Sequence, residues 1–117
     1  MKRNVVVIDY GIGNLLSVKR GLEICGGNVR VTDDIKEIES ADRLVLPGVG
    51  AFKDGMEGLR QRGFIDGILR YVEHGRPLLG ICLGMQMLMN ESCEFGAFDG
   101  LGLIAGKVVE IPAGVDN

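Results

Sequence analysis

The apolar positions of this chain follow two alternating rhythms over its first ninety residues. Asn4–Asp9 (NVVVID) is short, β-branched and apolar on both faces, which predicts a strand inside a parallel sheet. The stretch YGIGN breaks it. Asn14 then predicts a helix cap ahead of a stripe formed by Leu15, Val18, Leu22 and Cys25. Gly26–Asn28 ends that helix, Val29–Thr32 reads as a second strand, and Asp33–Ser40 as a turn or short helix. Arg43–Leu46 predicts a third strand, closed by Pro47–Gly50. Helical spacing follows over about Ala51–Arg62 and pauses at Gly63. It resumes with Ile65, Ile68, Leu69 and Val72 at i, i+3, i+4 and i+7. His74–Pro77 stops it. Leu78–Cys82 predicts a fourth strand, with Leu83 to about Asn90 as the helix behind it. From Gly96 onward, glycine-punctuated apolar runs without helical spacing predict a β-rich flank.

Strand and helix in strict alternation mean right-handed βαβ units. The predicted fold is therefore α/β, with three layers and a mostly parallel sheet covered by helices on both faces, a flavodoxin-like core. Sheets of this kind bind ligands at the carboxyl ends of their strands. Three glycine-bearing loops leave those ends: Gly11–Asn14, Pro47–Gly50 and Gly80–Gly84. Their convergence on one edge is the first pointer to function.

Composition narrows the class. A length of 117 residues suits one domain. Nineteen glycines are about twice the average share of ~7%, and they lack a fixed period, so tight turns account for them. A net charge of −3 argues against a nucleic-acid or anionic-membrane partner. The opening residues carry too short an apolar run for a secretory signal or a membrane span. Three cysteines at unrelated spacings are then expected to be reduced thiols in the cytoplasm. One histidine and no C-x-x-C pair leave no metal site, and no cofactor is expected.

One cysteine stands apart. Cys82 is the centre of G-x-C-x-G between a predicted strand and a predicted helix, the thiol version of a nucleophile elbow. So sharp a turn strains its central residue and requires small neighbours, which Gly80 and Gly84 provide. The turn would carry the sulfur out at the sheet edge. The helix starting at Leu83 would aim free N–H groups and its positive dipole end at it, favouring the thiolate. Those groups, with the backbone of Gly48–Gly50, can hold a developing oxyanion. Cys25 reads as core and Cys93 as incidental. His74 lies at the opposite end of the strand that leads to Cys82, some ~16 Å away at ~3.3 Å per residue, too far to act as its base. GIGNLL at Gly11–Leu16 resembles a dinucleotide fingerprint but has Leu16 where the third glycine belongs, so a plain turn is expected. Gln86, one helical turn past Cys82, can offer its amide to a ligand, and Glu94 can neutralise an ammonium.

Together these residues resemble the class I glutamine amidotransferases. More narrowly, they resemble the glutaminase subunit of imidazole glycerol phosphate synthase. The resemblance rests on DYGIGNL near the start, LPGVGAF at Leu46–Phe52, GICLGMQML at Gly80–Leu88, and the two runs ESCEFG and GLGLIAGKV within Glu91–Val108. It implies that Cys82 attacks the side-chain amide of glutamine, forms a glutamyl thioester and releases ammonia. By the same resemblance Val49, Gly50 and Leu83 supply oxyanion amides, while Gly48, Gln86 and Glu94 bind the substrate. A (β/α)8-barrel cyclase is the implied partner in a heterodimer, using the ammonia to make imidazole glycerol phosphate and AICAR in histidine biosynthesis. Gly11–Asn14 would lie near that interface.

The family's His-Pro-Glu motif has no counterpart in these residues. Residues 1–117 are therefore expected to form the N-terminal part of a single amidotransferase domain, as a fragment or a natural short form. Little glutaminase turnover is expected of them alone, and uncovered apolar surface should favour self-association. Two other classes compete: a DJ-1-like cysteine hydrolase or redox protein, and a non-catalytic partner subunit.

Overall fold

Val5, Val7 and Val45 are buried on one side of a parallel sheet, while Ile8, Leu44 and Leu46 are buried on the other. That two-sided burial follows from strands apolar at every position, since successive side chains point to opposite faces. The structure is a computed structural model describing residues 3–112.

Four parallel strands make the main sheet: β1 (Arg3–Ile8), β2 (Gly27–Thr32), β3 (Leu44–Leu46) and β4 (Leu78–Gly80), in the order β2-β1-β3-β4. Register is fixed by Val7 opposite Val31 and Val45, and by Leu46 opposite Gly80. Helix α1 (Leu15–Ile24) covers one face through Leu15, Val18 and Leu22. The other face carries α2 (Ile35–Glu39), α3 (Phe52–Gln61), α4 (Ile65–Glu73) and α5 (Leu83–Met87). Ile38, Leu59, Ile68 and Met87 seal that side with no exposed surface. Each such side chain contributes roughly 1.5–3 kcal/mol through burial. Helices on both faces of a parallel sheet are the predicted three-layer architecture.

Local chemistry sets the helix ends. The Asn14 side chain accepts from the Ser17 N–H at 3.4 Å, and Asp34 from Lys36 at 2.9 Å, so both α1 and α2 start at side-chain caps. Glycines with positive φ, Gly26 and Gly75, follow the ends of α1 and α4.

Two expectations fail. Cys25 is exposed, where the helical stripe predicted core. The helix ends at Ile24, and Cys25 becomes its cap, turned off the sheet as the chain bends into Gly26. Helix α5 also stops at Met87 rather than near Asn90. The carbonyls of Met87 and Leu88 receive N–H groups from Leu101, Leu103 and Ile104. Tertiary partners thus take the acceptors that a further helical turn would have used. The chain continues as β5 (Met89–Ser92), paired with β6 (Phe98–Asp99) and β7 (Ile104–Val108) in a second, three-stranded sheet. The β-rich flank therefore begins before Gly96. No helix among the described residues is long and apolar enough to cross a membrane.

Candidate active site at the carboxyl edge of the sheet

Strand β4 ends at Gly80, and two residues later the chain enters α5, so Cys82 sits on the turn itself. Its backbone is at φ 54°, ψ −120°, and it is the one non-glycine with positive φ among the described residues. L-residues avoid that region, at a cost of order 1–3 kcal/mol. Something must enforce it. The Leu46 carbonyl accepts from Ile81 at 3.0 Å, and Gly84 donates to Ile81 at 2.9 Å, closing the turn from both sides. The flanking glycines are dictated by space. A β-carbon on Gly80 would lie 2.7 Å from the Met85 Cα, and one on Gly84 would lie 1.8 Å from the Leu46 oxygen. Cys82 itself is exposed.

The three glycine-bearing loops do meet. A β-carbon on Gly48 would lie 3.0 Å from Leu83 Cβ and 3.2 Å from the Gly84 nitrogen, and one on Gly13 would lie 3.7 Å from Gly48. The Gly11 amide is taken by the Asp9 carboxylate at 3.1 Å, which makes Gly11–Asn14 a turn closed by its own acid. At the elbow, the Leu83 N–H donates to the Gly48 carbonyl at 3.2 Å. In this arrangement that amide is in use, so an oxyanion at Leu83 must displace the Gly48 carbonyl. Val49 is exposed, and so is Gly50, at φ 96°, where an added β-carbon would meet nothing within 4 Å.

Gln86 is half-buried, and its backbone N–H donates to the Cys82 carbonyl at 3.2 Å, one turn along α5. Glu94 follows β5. It lines a cleft of about 320 Å³ with Ala51, Lys53, Ser92, Phe95 and Phe98, among others. This cleft opens directly after the Pro47–Gly50 loop and is roomy for a small polar molecule. Ser92, buried, pairs with the Glu94 carboxylate at 3.5 Å, and the Lys53 ammonium lies 5.7 Å from the centre of the Phe98 ring. Neither Cys82 nor Gln86 lines the cleft.

Tyr10 falls within the DYGIGNL run, but sequence reasoning gave it no role, because nothing local to it names its partner. It is almost wholly buried, at 1% exposure, and its hydroxyl donates to the Pro47 carbonyl at 2.6 Å. Burial holds its phenol far above the ordinary tyrosine range. His74 caps α4 at the other end of the sheet, with Nδ1 2.7 Å from the Arg70 carbonyl. Cys93 is exposed, its sulfur 4.0 Å from the Glu91 carboxylate. Among the described residues no cluster of metal-ligating side chains occurs.

Residues 6–114 match the family described as glutamine amidotransferase class-I. The chain is 55% identical over 115 residues to imidazole glycerol phosphate synthase subunit HisH 1 of Legionella pneumophila (strain Lens), covering 97% of this chain and 54% of that relative. It is 57% identical over 108 residues to subunit HisH of Syntrophotalea carbinolica, covering 92% and 52%. The chain thus spans about half the length of the curated relatives it matches. Among solved structures, a glutamine amidotransferase superposes with a TM-score of 0.77 at 23% identity, over 94% of this chain and 58% of the other.

Proposed function

Because the chain belongs to the class-I glutamine amidotransferase family, we propose that it bears the nucleophile of a glutaminase serving imidazole glycerol phosphate synthase. The observation that carries this reading is the backbone of Cys82: the described residues contain one strained non-glycine, and it is an exposed thiol between a parallel strand and a helix start. The Cys82 thiolate adds to the side-chain amide carbon of glutamine, forming a C–S bond as the carbonyl electron pair moves to oxygen. Collapse restores the carbonyl and breaks the C–N bond, and the nitrogen leaves as ammonia after gaining a proton. Water then cleaves the thioester to glutamate.

Leu83, Val49 and Gly50 supply backbone amides to the oxyanion. For Leu83 this requires the Gly48 carbonyl to turn away from its 3.2 Å hydrogen bond. Gly48, Gln86 and Glu94 hold the substrate, the Glu94 carboxylate meeting the glutamine ammonium in the cleft behind the loop. The one histidine of the sequence, His74, is at the far edge, so the proton steps draw on another group. The ammonia passes to a (β/α)8-barrel cyclase in a cytoplasmic heterodimer of histidine biosynthesis. No cofactor is required.

Labelling with 6-diazo-5-oxo-norleucine, followed by mass spectrometry, tests the assignment on the intact gene product with its cyclase. All three cysteines are exposed, so access alone does not choose between them. A glutamyl adduct confined to Cys82 supports the proposal. Equal labelling of Cys25 and Cys93, or none at Cys82, refutes it.

A further inference from the structure

Tyr10 lies two residues beyond β1, inside the DYGIGNL run, and is packed against the Pro47–Gly50 loop that meets the Cys82 elbow. Its ring is seated on α3, where a β-carbon on Gly58 would lie 3.1 Å from ring atom Cδ2. Its hydroxyl reaches the Pro47 carbonyl at 2.6 Å, and a β-carbon on Gly48 would stand 2.5 Å from the same oxygen. The Pro47–Gly48 peptide is therefore held at its carbonyl by a phenol with no freedom to leave, and it follows a residue whose own ring fixes φ. The next peptide is held once, through the Gly48 carbonyl and the Leu83 amide at 3.2 Å. Beyond it Val49 is 55% exposed and Gly50 takes a conformation that favours glycine.

One clamped plane followed by one lightly tethered plane makes a hinge at Gly48, and Tyr10 is its fixed side. We propose that Tyr10 is a positioning residue: its hydroxyl anchors the Pro47 carbonyl so that the Gly48–Val49 peptide can reorient in place and bring amides to the oxyanion beside Cys82. The phenol touches neither substrate nor the reacting atoms. It stays a donor throughout, since burial keeps it protonated. The inference rests on the glutaminase reading, and adds to it a residue that acts only while negative charge builds on the amide oxygen.

Tyr10→Phe tests this, because it deletes one oxygen and keeps the ring. Two rates are measured on the intact gene product with its cyclase: glutamine hydrolysis, and alkylation of Cys82 by iodoacetamide. Alkylation displaces iodide without building charge on a carbonyl oxygen, so it reports the thiol and its access alone. The expected result is a fall of about tenfold in kcat for glutamine, the size of one lost hydrogen bond. KM and the alkylation rate should stay within about twofold. Unchanged kcat in an otherwise active enzyme overturns the positioning role and leaves the glutaminase reading standing. A parallel change in both rates, or a variant that fails to fold, assigns Tyr10 to the fold alone and also overturns it. A wild-type complex without glutamine turnover removes the glutaminase reading and this inference with it.

Discussion

The α-carbon of Gly84 faces the carbonyl of Leu46 so closely that a methyl group placed there would stand 1.8 Å from the oxygen. The contact is backbone on backbone, so neither partner can swing aside. Gly84→Ala must push α5 off the end of β3, and a loss of about 3 kcal/mol or more in folding stability is expected by urea titration. Gly21→Ala is the matched control. Nothing lies within 4 Å of its added methyl and its φ is ordinary for a helix, so it should stabilise α1 by about 0.5–1 kcal/mol.

The elbow dihedrals give a test that separates chemistry from stability. Cys82→Ala and Cys82→Gly both remove the sulfur and should both abolish glutamine turnover. Only glycine relaxes at φ 54°. Cys82→Gly is therefore expected to be more stable than Cys82→Ala by about 1–2 kcal/mol, read from denaturant midpoints at constant slope.

Both tyrosines of the chain have phenols held above their ordinary range, chiefly by burial, Tyr10 the more strongly. A raised folded value means the fold favours the neutral phenol. That contribution is complete below the unfolded value near ~10, and is lost as pH climbs through the folded values. Native protein should show less tyrosinate absorbance at pH ~10.5 than protein unfolded in denaturant at the same pH, with Tyr10 the more strongly suppressed of the two rings. Stability measured across that range should fall with rising pH.

Gly48 and Tyr10 should behave as a coupled pair. Gly48→Ala drives a methyl to 2.5 Å from the Tyr10 oxygen, with an expected cost of about 2–3 kcal/mol. In a Tyr10→Phe background that oxygen is gone. Part of the cost should vanish, giving a coupling energy of about 1 kcal/mol in a double-mutant cycle by chemical denaturation.

Thiol counting checks the corrected position of Cys25. With Cys25, Cys82 and Cys93 all exposed, a neutral disulfide reagent should titrate all three in the native protein without denaturant. Protection of Cys25, located by mass spectrometry of the labelled peptides, would return it to the core.

How far the sequence carried the structure can be traced residue by residue. The valines and isoleucine of β1 and the i, i+3, i+4 spacing of Ile65, Ile68 and Leu69 placed their elements within a residue or two, because burial is what those patterns encode. Asn14 marked its helix start through a short-range hydrogen bond. The elbow was legible because its constraint is local: glycine, thiol, glycine. The end of α5 was not, since the Met87 and Leu88 carbonyls bond to residues from Leu101 to Ile104, a separation no window on the sequence spans. Cys25 misled because helical phase says which side a residue faces and not whether the neighbouring layer extends that far. The role of Tyr10 was invisible for the same reason as the end of α5: its partner, Pro47, is 37 residues away.

The strand order β2-β1-β3-β4 bears on how the molecule comes into being. Taken in the sequence in which a ribosome emits them, each new strand joins a border that is already free: β2 on one side of β1, β3 on the other, then β4 beyond β3. No strand has to be inserted between two that have already paired. Vectorial assembly is thus open to these four strands, and the turn bearing Cys82 follows directly on the last of them to emerge.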